Sequence, residues 1–211
     1  MKTSREIKDG YDKLAAVYAV RFCDELNGKP FDRSLLQRFV TAVPDGPVCD
    51  LGCGPGHVAA HLQTLGANSM GFDLSPKMIA EAERRYPTVE YRVGDMADLD
   101  MPSESLGGIV ALYSIIHLER QKLEEAFREM HRVLKPAGQL LVSFHKGEGI
   151  LHEDNVLDTD VSFDCTLFEP DEVSGKLERV GFSIAEATVR RPYDFEYPTK
   201  RVYVLADKPT S

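Results

Sequence analysis

Val48-Cys49-Asp50-Leu51-Gly52-Cys53-Gly54-Pro55-Gly56 runs from a short apolar stretch through an acid into a glycine turn, and a helical pattern opens at His57. A buried strand feeding such a turn is how an α/β sheet presents bare main chain to a ligand, because glycine lets the backbone turn sharply without a Cβ in the way. The spacing narrows the ligand. A dinucleotide fingerprint wants its third glycine at position 57, where a pyrophosphate meets the helix N-terminus, and position 57 is His. Asp50 ends the strand instead, repelling phosphate and attracting an ammonium. The turn therefore favours a cationic nucleoside without phosphate.

Outward from this turn, short apolar runs alternate with helical periodicity, the pattern of βαβ units around a parallel sheet. Strands are expected at 47–50, 70–73, 89–93, 108–113, 139–145, 182–188 and 201–206. Leu123, Ala126, Phe127, Met130, Val133 and Leu134 fall on one helical face, and Ser75 followed by Pro76 reads as a cap with proline at the first helical position. Further helices are expected at 57–65 and 170–180. Before the first strand, helices at 11–26 and 31–43 read as a cap. The whole is one domain, 1–211: a helical cap or lid at 1–44, a ligand-binding core at 45–145, and an acceptor-side insert with the C-terminal strands at 146–211.

Two more strand ends carry ligand chemistry. Asp73 closes the second strand where a carboxylate can accept both hydroxyls of a ribose, with Leu74 and Met78 beside it to pack on sugar and base. After the third strand, Gly94-Asp95-Met96 offers an acceptor for an exocyclic amine and a thioether for a ring face. Ligands sit outside the carboxyl ends of such sheets, so three neighbouring strand ends reinforce one another.

Asp50-Leu51-Gly52-Cys53-Gly54-Pro55-Gly56, Gly71-Phe72-Asp73-Leu74-Ser75 with Met78, Gly94-Asp95-Met96, and Leu134-Lys135-Pro136-Ala137-Gly138 together resemble the class I S-adenosylmethionine-dependent methyltransferases, in that family's order across 48–138. Ala137 stands where the family usually has Gly. The resemblance implies a doubly wound, seven-stranded, mostly parallel α/β sheet of order 3-2-1-4-5-7-6 with its last strand antiparallel. Tyr11-Asp12-x-x-Ala15-x-x-Tyr18 is similar to a lid segment of the small-molecule branch. By the same resemblance S-adenosylmethionine is the cofactor, held by Tyr11, Tyr18, Asp50, Leu51, Gly52, Cys53, Gly54, Gly56, Asp73, Leu74, Ser75, Met78, Gly94, Asp95, Met96, Tyr113 and Ser114.

Methyl transfer from a sulfonium gains mainly from orientation and exclusion of water, and a base is needed only where the acceptor must lose a proton. The candidate bases are His117, just after the fourth strand, and His145, at the end of the fifth. His152 reads as a loop residue. His57 and His61 have ligand spacing but no Glu of H-E-x-x-H and no third ligand, so no metal is expected. The stretch from Glu148 to Glu172 holds nine acids and no Lys or Arg. It reads as a solvated loop leading to a helix N-terminus, with an acidic pocket mouth for an amine as the alternative.

Thirty-four acids against twenty-five bases give net −9, which excludes a basic nucleic-acid surface, and no run reaches the length of a membrane span. The four cysteines, without a CxxC pair, suit reduced thiols. The expectation is a cytoplasmic enzyme, monomeric or homodimeric, acting on a small molecule. Its rivals are a nicotinamide-dependent oxidoreductase of the same fold and a non-catalytic S-adenosylmethionine-binding module.

Overall fold

Nine strands and six α-helices make up the computed structural model, which describes residues 2–210. In chain order the helices are α1 Ser4–Phe22, α2 Pro30–Ala42, α3 His57–Thr64, α4 Pro76–Arg85, α5 Leu123–Val133 and α6 Pro170–Arg179. The strands are β1 Val48–Leu51, β2 Ser69–Asp73, β3 Glu90–Val93, β4 Leu106–Leu112, β5 Leu134–His145, β6 Ile150–Glu153, β7 Phe163–Thr166, β8 Ser183–Arg190 and β9 Arg201–Asp207. Seven of them form one sheet in the order β3-β2-β1-β4-β5-β9-β8, with β9 antiparallel to both neighbours. This is the expected 3-2-1-4-5-7-6 order once β6 and β7 are set apart.

Those two strands are the main correction to the sequence reading. They pair antiparallel in a hairpin outside the sheet, with His152 opposite Asp164 in the ladder rather than in a loop. Asp164 Oδ1 lies 2.7 Å from His152 Nδ1, and Asp160, Glu169 and Glu172 pair with Lys13, Lys146 and Arg120, so part of the acidic stretch is matched by nearby cations.

Central β1 is buried along its length because helices cover both faces. On one face α2 and α3 pack Leu35, Leu36, Phe39, Val58 and Leu62 against Val48, Val110 and Leu141; α4 continues that layer beside β3 with Ile79 and Ala82. On the other, Phe127 and Met130 of α5 and Val173 and Leu177 of α6 close over Ile109, Leu140 and Val142. Edge strand β8 alternates exposed and half-buried residues, as a strand with one wet face does. Ala137 has φ 61°, the left-handed conformation that glycine adopts without strain.

Of the two helices expected as a cap, α2 packs into the sandwich while α1 borders the cavity at the carboxyl end of the sheet. Helix α1 starts seven residues earlier than expected because Thr3 and Glu6 form a capping box: Thr3 Oγ1 accepts from Glu6 N–H at 3.3 Å and Glu6 Oε2 from Thr3 N–H at 2.8 Å. It ends at Phe22, and a 3-10 turn at Glu25–Gly28 leads into α2. Asp12 ties α1 to the start of α4, its Oδ1 accepting from Ser75 Oγ–H (2.6 Å) and Lys77 N–H (3.1 Å).

Candidate functional site

A cavity of about 1030 Å³ opens above the carboxyl ends of β1, β2, β4 and β5, at the upper end of the range for small-molecule sites. Its floor is the glycine turn. Gly52, Gly54 and Gly56 have φ of 78°, 52° and 85°. A Cβ on Gly52 would overlap Ser114, whereas one on Gly54 would meet only Tyr18 at 3.9 Å, because Gly54 faces the cavity. Phe72 O accepts from Gly52 N–H and Cys53 N–H at 2.7 and 2.9 Å, which locks the turn onto β2.

Asp73 stands at the corner of this floor. Its Oδ2 accepts from Gly54 N–H and its Oδ1 from Ser75 N–H, both at 2.8 Å, so one carboxylate braces two loops and keeps lone pairs for a ligand. Burial raises its pKa to about 6. Asp50 lines the cavity and also holds the fold. It is 2 % exposed and its Oδ2 accepts from Ala59 N–H at 3.0 Å, so its carboxylate pins α3 to β1, and burial lifts its pKa to about 7.

Of the nineteen residues expected to bind or react, all but Gly56 and Ser75 line the cavity. Gly56 is needed for packing: a Cβ there would sit 2.5 Å from Tyr91 Oη and 2.8 Å from Ala82 Cβ. Ser75 is fully buried, and its Oγ caps α4 by accepting from Met78 N–H at 3.1 Å. Asp95 Oδ1 accepts from Ala97 N–H at 3.0 Å, shaping the turn that carries Met96. Ser114 Oγ is sealed from solvent and has no partner.

Both histidines are at the cavity, each already engaged. His117 Nε2 lies 2.6 Å from Tyr11 Oη and its Nδ1 faces the Asp164 carbonyl at 3.4 Å; with the ring proton on Nδ1, Tyr11 O–H donates to Nε2. Tyr11 also stacks on Phe163 at 4.5 Å between centroids. Burial pushes the His117 pKa down to about 4, and burial with the Arg201 charge does the same for His145. Both are neutral at pH 7.

A charged cluster that sequence reasoning missed lies beyond Tyr113. Lys29 reaches Glu25 at 2.7 Å, Glu25 reaches His57 at 3.0 Å, and Arg190 holds Glu196 at 2.6 and 2.9 Å and Asp32 at 3.1 Å. Tyr203 O–H donates to Asp32 Oδ1 at 2.7 Å, and Tyr113 Oη lies 2.9 Å from Tyr203 Oη. Against the pull of burial, Arg190 and Tyr193 N–H hold Glu196 at a pKa of about 2. Glu25, Lys29, Glu196 and Arg201 line the cavity. His57 thus bonds a carboxylate across the fold, and among the described residues no three His, Cys, Asp or Glu side chains gather as a metal site. No described helix is long and apolar enough to cross a membrane.

Comparison with known proteins agrees with this geometry. Residues 48–138 match the model of the methyltransferase domain family. Demethylmenaquinone methyltransferase of Chlorobaculum parvum is 34% identical over 145 residues, 65% of this chain and 58% of that protein. The chain therefore spans under two thirds of that relative's length. The uncharacterized methyltransferase YodH of Bacillus subtilis is 29% identical over 177 residues, 81% of this chain and 73% of that protein. Among solved structures, a SAM-dependent methyltransferase from Methanosarcina mazei superposes with a TM-score of 0.73 at 18% identity, over 81% of this chain and 96% of that one. The glycopeptide N-methyltransferase MtfA, complexed with S-adenosylmethionine, gives 0.66 at 21% identity, over 84% and 94%. At such identities the likeness concerns the fold.

Proposed function

We propose that this chain is a class I S-adenosylmethionine-dependent methyltransferase and that it methylates a small-molecule acceptor. The observation that carries the proposal is Asp73, braced by Gly54 N–H and Ser75 N–H beside bare glycine main chain under a cavity large enough for a nucleoside and a second molecule. The residues present fit the cofactor. Gly54 leaves open the space a Cβ would fill, and the orphaned Ser114 Oγ lacks a partner that a polar ligand supplies.

In this reading Asp73 accepts from the ribose hydroxyls, Asp95 and Met96 hold the adenine, and the main chain at Gly52 and Gly54, with Ser114, holds the methionyl part. When bound, S-adenosylmethionine supplies an electrophilic methyl group on a sulfonium centre. The chain's own contribution is to orient the acceptor and exclude water, with Tyr11, Tyr18 and Phe163 closing the α1 side. Neither histidine is a ready base: Tyr11 occupies the His117 lone pair, and the low pKa values of both rings make them weak proton acceptors. His117 takes a proton only after Tyr11 withdraws. The acceptor accordingly arrives with its lone pair available. Net charge −9 keeps nucleic acid out of the proposal, and we assign the chain to the cytoplasm as a monomer or homodimer.

Calorimetry with S-adenosylhomocysteine and with NADH tests the cofactor, and transfer of labelled methyl from S-adenosylmethionine to hydroxyl, amine, thiol and carboxylate acceptors tests the reaction. One-site binding of the nucleoside without NADH binding is expected. NADH binding alone would make the chain an oxidoreductase, and nucleoside binding without transfer to any acceptor would leave a binding module.

A further inference from the structure

The cavity has a second wall, at the end of β5 and the start of β9, whose unpartnered polar atoms are hydrogen-bond donors. His145 and Arg201 are opposite one another in the β5–β9 ladder. Thr199 Oγ1 accepts from Arg201 Nη1 at 2.6 Å, and its own proton is left for His145 Nδ1, also 2.6 Å away. That network assigns the imidazole proton to Nε2 and makes Nε2 a donor. Arg201 Nη1 is satisfied by Thr199, but among the described residues Nη2 has no hydrogen bond, and the nearest carboxylate, Glu196, is 3.8 Å from Nε. Among the described residues, the polar side-chain atoms both sealed from solvent and unpartnered are His57 Nδ1, His61 Nε2, Ser114 Oγ and Gln139 Oε1. Arg201 Nη2 and His145 Nε2 are therefore reached by solvent, on residues that line the cavity.

The charges around this wall are unevenly shared. Glu196 gives its short contacts to Arg190, and Glu25 is shared by Lys29 and His57. Arg201, 4 % exposed, has Glu196 3.8 Å from its Nε, but Glu196 gives its short contacts to Arg190, so Arg201 keeps unused donor capacity toward the cavity. Its guanidinium lies 5.7 Å from the centre of the Tyr113 ring, and the Lys29 ammonium lies 5.4 Å from the same ring. Tyr113 itself is held at φ 55° at the end of β4, a conformation that bulky residues adopt only when the surroundings impose it.

We propose that this wall is the acceptor subsite and that it selects an acceptor bearing a carboxylate, which accepts from Arg201 Nη2 and from His145 Nε2–H. The inference rests on the methyltransferase reading in calling the ligand an acceptor. A protonated amine would offer these groups no lone pair, and the cavity-lining carboxylates Glu25 and Glu196 are already paired with Lys29 and Arg190.

Benzoate and benzamide share size and shape and differ in charge, so the test is to titrate each by calorimetry into the protein saturated with S-adenosylhomocysteine. Benzoate is expected to bind at least tenfold more tightly. Arg201→Gln should abolish that preference and Arg201→Lys retain part of it, with S-adenosylhomocysteine affinity unchanged in both. Equal binding of the two probes by the wild-type protein, a comparison that needs no variant, overturns the subsite and leaves the cofactor reading standing; so does a preference that survives Arg201→Gln. Failure of the wild-type protein to bind S-adenosylhomocysteine overturns the cofactor reading and this inference with it.

Discussion

Replacing Asp73 by Ala separates what this carboxylate does for a ligand from what it does for the fold. Two ribose hydroxyls donating to an ionised carboxylate are worth about 1.5–3 kcal/mol each when no other partner competes. Both Asp73 oxygens are shared with backbone N–H groups, so the loss of S-adenosylhomocysteine affinity should be roughly tenfold to a thousandfold. Stability responds differently. Deleting the side chain orphans Gly54 N–H and Ser75 N–H, at about 1–3 kcal/mol each, less where cavity water replaces the lost acceptor. It also removes a carboxylate whose pKa burial raises from 3.8 to about 6, a charge that costs the folded protein about 3 kcal/mol at pH 7. These terms are similar in size, so the variant should melt within a few degrees of wild type at neutral pH.

The pH dependence has a definite sign. Because the folded-state pKa is the higher, the Asp73 contribution to stability is fully present below pH 3.8 and is lost as pH rises through about 6. The melting temperature of Asp73→Ala relative to wild type should therefore climb between pH 4 and pH 7. Calorimetry and thermal melts at four or five pH values measure both effects. Unchanged nucleoside affinity would refute the ribose assignment, and a melting difference flat with pH would refute the burial argument.

Gly56→Ala forces a Cβ to within 2.5 Å of Tyr91 Oη at a left-handed φ, and should destabilise the fold by about 1–3 kcal/mol in a denaturant titration. Gly54→Ala meets nothing nearer than 3.9 Å; its melting temperature should fall less, while S-adenosylhomocysteine affinity falls at least as much as in the Gly56 variant. Tyr11→Phe keeps the stacking on Phe163 but removes the proton donated to His117 Nε2, so the His117 titration, followed by NMR, should move upward from about 4; an unmoved titration would refute the donation from Tyr11 to His117.

The strands around the glycine turn were legible because each is a short apolar run ended by residues with a local conformational task, and Asp73 and Asp95 follow those runs directly. The β6–β7 hairpin was not. Ile150–Glu153 and Phe163–Thr166 are four residues each, too short to show alternation, and they flank a segment where Asn155, Leu157 and Asp158 all adopt positive φ. The start of α1 was written in Thr3-x-x-Glu6 but lies ahead of the apolar periodicity that marked the helix. The bond from Ala59 N–H to Asp50 was not legible because a strand-end acid looks the same in sequence whether its carboxylate meets a ligand or the first turn of its own helix. The cluster joining Asp32 to Arg190 and Tyr203 spans 158 and 171 positions of chain, and neither spacing nor composition reports a contact of that range.

The attachment of Asp12 to Ser75 and Lys77 has a kinetic consequence. In the proposed binding mode the turn at Asp73 to Ser75 and helix α1 are fastened to each other through one side chain, so a nucleoside that left beneath α1 would wait for those two bonds to yield. On that reading residence time is set outside the reacting groups, and Asp12→Ala should raise the dissociation rate of S-adenosylhomocysteine more than it weakens equilibrium binding.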